Sequence, residues 1–244
     1  MIEIYGLSKS YSNTSVKAVD DLTLDKISGE IFGFLGPNGA GKSTTIKCLT
    51  GIIPFEEGNI KVCGYDIKDN PIEAKKCIGF VPDEHIVYEK LTGMEYLKFI
   101  ADVFSVESAR REELVALYLE KFEMKDKIDR LISSYSHGMK QKLSIIAALI
   151  HEPKVWILDE PLTGLDPKSA FILKEIMREE AEKGNTVFFS SHVLDVAEKI
   201  CDRVGIINKG KLIAVCTIKE LKERRSDMSL EDFFLSVTQK EGIL

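Results

Sequence analysis

The apolar positions of this chain change period twice. Near the start they alternate, with Ile2 and Ile4, then Leu22 and Leu24. That period of two predicts antiparallel strands with one buried face. Residues 30–35 read as a buried strand and residues 58–64 as a short strand between turns. From about Thr92 to His151 the period becomes helical. Met94, Leu97, Ala101 and Phe104 fall on one face, as do Leu114, Leu117, Tyr118 and Phe122, and then Met139, Leu143, Ile146 and Ile150.

Beyond that, strands and helices alternate. Residues 155–158 are all apolar, as expected of a parallel strand covered on both faces. Helices are expected over 168–183 and 194–201, with a strand over 186–190 between them. Residues 204–207 and 212–215 flank Asn208-Lys209-Gly210-Lys211, a hairpin turn. The end of the chain reads as two short charged helices. The predicted class is α/β: a core with a mainly parallel sheet, an N-terminal antiparallel β subdomain and an inserted α-helical subdomain at about 85–151. No linker divides the 244 residues, so a single domain is expected, closed by a short helical tail at 217–244.

Composition narrows the classes. A net charge of -6 gives no electrostatic reason to expect a nucleic-acid partner. Cys48, Cys63, Cys77, Cys201 and Cys216 have no C-x-x-C spacing, which fits free thiols in a reducing compartment. Met1-Ile2-Glu3-Ile4 shows neither the basic region nor the apolar core of a secretory leader. The longest apolar run, 145–150, is far short of the ~20 residues a membrane helix needs. A role at a membrane would need another chain to cross it.

The most specific chemistry is Gly36-Pro37-Asn38-Gly39-Ala40-Gly41-Lys42-Ser43, which matches G-x-x-x-x-G-K-[ST]. Glycines let successive N–H groups turn inward on phosphate oxygens. The following helix adds the positive end of its dipole, Lys42 a mobile cation, and Ser43 a hydroxyl for Mg²⁺. A strand before the loop and a helix after it are the context this motif requires. Asp159-Glu160 closes the apolar strand. Alone it is an acidic turn; beside a phosphate loop, Asp159 is placed to hold Mg²⁺ and Glu160 to polarise a water. Ser136 is a good helix N-cap, and Gly138 lets backbone N–H groups face an anion. His192 follows a strand, where it can reach the same phosphates as Lys42. Tyr11 lies in a polar stretch and offers a ring to a nucleobase. His85, His137 and His151 are expected to be structural or surface histidines.

In this order, these pieces resemble the nucleotide-binding subunits of ABC transporters along nearly the whole chain. Tyr11 matches the adenine-stacking aromatic, residues 36–44 through Thr44 the Walker A loop, and 78–83 the Q-loop segment. Residues 135–139 match the signature motif, 155–160 Walker B with the catalytic glutamate, Leu165-Asp166 the D-loop, and His192 the switch histidine. The chain departs twice. Asp83, followed by Glu84, stands where the Q-loop normally carries Gln; His137 and Met139 replace a Gly and a Gln of the signature. Both departures, and the tail at 229–235, are similar to a branch that exports drugs, antibiotics and polymers.

The resemblance implies a P-loop NTPase core and an ATPase that uses ATP and Mg²⁺. Ser43, Asp83 and Asp159 would serve the metal, and Lys42, Glu160 and His192 the hydrolysis. It implies a second ATPase subunit, identical or homologous, that presents its Ser136 and Gly138 across a head-to-tail dimer. It also implies a separate transmembrane permease subunit and a place on the cytoplasmic face of the cell membrane. The alternatives are a soluble ABC-type ATPase outside transport, a regulatory nucleotide-binding module and a small-molecule kinase.

Overall fold

A computed structural model describes residues 1–11, 16–83, 88–224 and 229–239. β1 (Ile2–Ser10) and β2 (Lys17–Ile27) pair in antiparallel fashion, with Ile4 opposite Leu24 and Leu7 opposite Leu22. β3 (Ile31–Leu35) opens a second sheet and leads into α1 (Lys42–Leu49). β4 (Glu57–Val62) returns beside β1, and β5 (Tyr65–Asp66) folds back on β4. α2 (Pro71–Lys76) and β6 (Ile78–Val81) come before three helices, α3 (Gly93–Val103), α4 (Ser108–Lys121) and α5 (His137–Leu149). There follow β7 (Val155–Asp159), α6 (Pro167–Glu182), β8 (Thr186–Ser191), α7 (Leu194–Ile200), β9 (Arg203–Asn208), β10 (Lys211–Thr217), α8 (Ile218–Arg224) and α9 (Leu230–Gln239).

The first sheet has the order β2-β1-β4-β5 and the second β10-β9-β3-β8-β7-β6. All pairings in the second sheet are parallel except that of β10 with β9. The period of two decides what each face covers. Phe32, Phe34, Ile157 and Phe188 point to one side, where they pack with β1, β2, β4 and α1. Ile31, Leu35, Trp156, Leu158, Val187 and Phe189 point to the other, where α5, α6 and α7 cover them. β3, β7 and β8 are buried at every residue, as strands covered on both faces must be. Lys209 and Gly210 join β9 to β10 at φ +46° and +81°, the left-handed pair that a two-residue hairpin turn requires.

The structure differs from the sequence pattern at four places. The sequence predicts a helix over 44–50 after the loop; α1 begins two residues earlier, at Lys42, because Gly41 at φ +109° supplies the turn. Cys63 and Gly64, at φ +52° and +86°, end β4 and start β5, which the pattern did not reveal. α2 was also missed; its signal is Pro71 in the first turn after Asn70. On α4 the buried face is Leu114, Val115, Tyr118 and Leu119, while Leu117 is left 45% exposed. Among the described residues no helix is long and apolar enough to cross a membrane, and all five cysteines are free thiols.

Candidate active site

Three neighbouring strand ends build the site. β3, β8 and β7 are parallel and adjacent, so the loop after β3, the acidic pair at the end of β7 and His192 after β8 emerge on one edge. Open α/β sheets bind ligands at this edge.

The loop between β3 and α1 is supported from outside and open inside. A Cβ on Gly36 would stand 2.3 Å from the Ile207 carbonyl oxygen, and one on Gly41 would stand 2.5 Å from that of Ala18. The Gly210 N–H donates to the Ala40 oxygen at 2.8 Å, so the β9–β10 turn props the loop. On the inner side, a Cβ on Gly39 would meet nothing within 4 Å. Lys42 starts α1 with its side chain 6% exposed. Its ammonium donates to the carbonyls of Gly36 at 2.7 Å and Pro37 at 3.2 Å, and lies 3.5 Å from Glu160 Oε1. A buried ammonium at a helix N-terminus suits an anion.

A cleft of about 210 Å³ opens here, lined by Ala18, Asn38, Gly39, Gly41, Lys42, Ser43, Thr44, Asp83 and Glu160. Gly36, Pro37 and Ala40 do not line it. They form the back of the loop, where the Ala40 N–H donates to the Pro37 oxygen at 3.2 Å. Tyr11 stands at the rim, half exposed, with its hydroxyl 3.3 Å from Thr44 Oγ1. Asp159 lies beneath, 3% exposed, and its Oδ1 accepts the Ser190 hydroxyl at 2.5 Å. That same hydroxyl oxygen accepts the Glu160 N–H at 3.0 Å.

Glu160 is held in an unusual posture. Its φ of +48° is left-handed, a region a non-glycine residue enters at a cost of about 1–3 kcal/mol. One carboxylate oxygen lies 3.0 Å from His192 Nδ1, and the other, Oε1, is buried with no hydrogen-bond partner. An ionised carboxylate only accepts, and the group that faces Oε1 is the Lys42 ammonium at 3.5 Å, an ion pair beyond hydrogen-bond length.

Ser136 and Gly138 are not in this cleft. They form the start of α5, where the exposed Ser136 hydroxyl accepts the Met139 N–H at 3.3 Å. Gly138 is bare because a Cβ there would be 2.8 Å from the Gly164 oxygen. His151 is structural: its ring stacks on Phe104 with centroids 3.7 Å apart, and its Nε2 lies 3.1 Å from the Ile78 oxygen. His137 lies against Gly164. His85 and Glu84 fall outside the described residues. Sequence reasoning missed Ala18, which closes the cleft from β2, and Ser190, which ties Asp159 to Glu160. No local signal marks either, since both contacts join distant parts of the chain.

A phosphate-cradling loop on a parallel sheet, with an acidic pair at a neighbouring strand end, defines a P-loop nucleotide-binding protein. The chain belongs to the ABC transporter family, whose sequence pattern (ABC_tran) matches residues 19–163, and it is an ATP-binding subunit and an ATPase. It is 38% identical over 224 residues to the linearmycin resistance ATP-binding protein LnrL of Bacillus subtilis (strain 168), covering 92% of this chain and 71% of that protein. A solved ATP-binding subunit of an ABC transporter superposes with a TM-score of 0.92 at 32% identity, over 98% of this chain and 99% of that one. An ATP-binding cassette solved as a dimer in a post-hydrolysis state with ADP and Pi has the same fold. Its TM-score is 0.81 at 22% identity, over 89% of this chain and 99% of that one.

Proposed function

We propose that this ATPase drives an exporter, working as one of two ATPase subunits beneath a separate transmembrane permease on the cytoplasmic face of the membrane. The observation that carries the reading is the Lys42–Glu160–His192 arrangement. A buried cation and a carboxylate line the same cleft, one carboxylate oxygen 3.5 Å from the Lys42 ammonium and the other held by the histidine. In this reading Lys42 and the loop N–H groups bind the outer phosphates. Glu160 Oε1 accepts a proton from a water, and His192 keeps the carboxylate turned toward it. Tyr11 offers its ring to the base. Ser43 and Asp83 bring hard oxygens to the cleft, which suit Mg²⁺, and Asp159, buried behind Glu160 and bonded to Ser190, would serve the metal from the end of β7. Mg²⁺, when bound, would neutralise phosphate charge.

The exposed Ser136, outside its own cleft, supports a head-to-tail partner that receives it across a two-fold axis. A second groove, of about 310 Å³, runs between the helical part and the sheet, lined by Ile52, Phe80, Pro82, Tyr96, Ile100 and Phe104 among others. It suits a cytoplasmic segment of the permease. The resistance role in the LnrL name supports the outward direction.

The test is a pair of variants. Lys42→Ala should bind ATP weakly and show no turnover. Glu160→Gln should bind ATP, lose about 10²–10⁴-fold in rate and accumulate as a dimer on gel filtration with MgATP. Parental turnover in either variant would overturn the site; a Glu160→Gln protein that stays monomeric would overturn the dimer.

A further inference from the structure

α5 is buried along most of its length, and nearly all its buried residues are apolar or small. Gln141 is the exception, a long amide only 1% exposed. Burying an amide is unfavourable unless it is bonded, so packing alone gives no reason for one here. Its bond is specific: Nε2 donates at 2.8 Å to the carbonyl oxygen of Pro161, the residue directly after Glu160.

That carbonyl follows a main chain already held by its own turn, where the Glu160 oxygen accepts the Thr163 N–H at 3.2 Å, and Gln141 ties this turn to α5. On the other side the Glu160 N–H is held by Ser190 Oγ at 3.0 Å. Between the two anchors sits the left-handed φ of +48°, which persists only if its surroundings enforce it. Without Gln141, the Pro161 peptide would be a buried acceptor with its partner removed. Freed of it, the 161–162 peptide can rotate, and the turn that carries Glu160 loses its tie to α5.

Other contacts join the same two segments. A Cβ on Gly164 would stand 2.2 Å from His137 Cδ2, and one on Gly138 would stand 2.8 Å from the Gly164 oxygen. Lys142 Nζ reaches Asp166 Oδ2 at 3.1 Å. The first two turns of α5 and the loop after Glu160 therefore pack as one unit. We infer that Gln141 is a positioning residue for ATP hydrolysis: its amide locks the Glu160 main chain to the helix that begins at Ser136. The inference rests on the proposed role of Glu160. Given the head-to-tail pairing, the turn that meets the second subunit's nucleotide and the carboxylate that serves this subunit's own move together.

Gln141→Met keeps the length of the side chain and removes the donor. We expect kcat for ATP to fall at least tenfold, with KM and the nucleotide Kd within twofold of the parent and an unchanged cooperative melt. The decisive measurement is a cycle with Glu160→Gln: a residue that acts through Glu160 should add less than twofold to the loss already present. If Gln141→Met does not fold, Gln141→Asn, which keeps the amide one methylene short of Pro161, is read by the same criteria. Parental kcat in the Gln141 variant, or its full effect repeated in the Glu160→Gln background, would overturn the positioning role. Parental turnover in Glu160→Gln alone would instead overturn the reading of Glu160.

Discussion

At the scale of single residues, the site is a set of groups kept from their ordinary partners. Lys42 bonds to carbonyls of its own loop, and Glu160 Oε1 faces the Lys42 ammonium at 3.5 Å without a hydrogen bond. Tyr11 spends its hydroxyl on Thr44 and keeps its ring half exposed at the rim. Tyr11→Ala should therefore weaken nucleotide binding by about 1–3 kcal/mol, the usual loss for one stacked base. It should do so for ATP and GTP alike, because stacking reads a ring face and not its edge; equilibrium titration of both nucleotides measures this. Asp83 lines the cleft with Ser43. An ionised carboxylate there is a harder ligand for Mg²⁺ than the amide usual in the family. Asp83→Asn should shift the Mg²⁺ dependence of the ATPase rate to higher metal while leaving metal-free ATP binding unchanged. Superimposable Mg²⁺ titrations would remove Asp83 from the metal's surroundings.

At the scale of elements, the ends matter as much as the faces. α3 begins with a reciprocal cap: the Glu95 N–H donates to Thr92 Oγ1 at 3.2 Å, and the Thr92 N–H donates to Glu95 Oε2 at 2.8 Å. Thr92→Ala should lower stability by about 1 kcal/mol, seen as a reduced denaturant midpoint, with nucleotide binding unchanged because the cap does not line the cleft. Asp166 caps α6 from one side, its carboxylate accepting the Ser169 N–H. Bonds from the Ser169 hydroxyl and N–H, and then Lys142, hold its carboxyl far below the usual carboxylate range. The elements legible in the sequence were those with a long period or a strong boundary. The apolar run 155–158 of β7, the hairpin around Lys209-Gly210 and the glycine-rich turn before α1 all announce themselves locally. β5, two residues long, and α2, six residues long, carry too little pattern to stand out.

At the scale of the molecule, acid should act through a buried histidine. His151 sits under Phe104, and burial lowers its pKa from 6.5 to about 4, against a smaller opposing effect of its bond to the Ile78 carbonyl. The unfolded chain takes up this proton at higher pH than the folded one does. Stability should hold above pH ~6.5 and fall as pH drops toward 4, where the folded state can also bind the proton. Urea midpoints measured between pH 7 and 5 should decline in the parent. The decline should be smaller in His151→Phe, which keeps a ring against Phe104 but cannot titrate. Equal declines would assign the slope to other groups.

Local composition determined a good deal by itself. The positive φ at Gly41 and the cation at Lys42 belong to a short contiguous run, so the loop is written in eight adjacent residues. The same holds for the α/β class, because a period is a local quantity. Tertiary structure alone decided which distant groups meet. Ser190 reaches Asp159 and Glu160 across paired strands, and Ala18 faces the loop from the other sheet. Gln141 finds the Pro161 carbonyl twenty residues downstream. None of these carries a motif, because a hydroxyl, a methyl or an amide becomes part of a site only when the strands and helices around it have packed. The left-handed turn at Glu160 belongs to the same class: no residue type there asks for it, and Ser190 on its N–H, with Thr163 on its carbonyl oxygen, hold it in place.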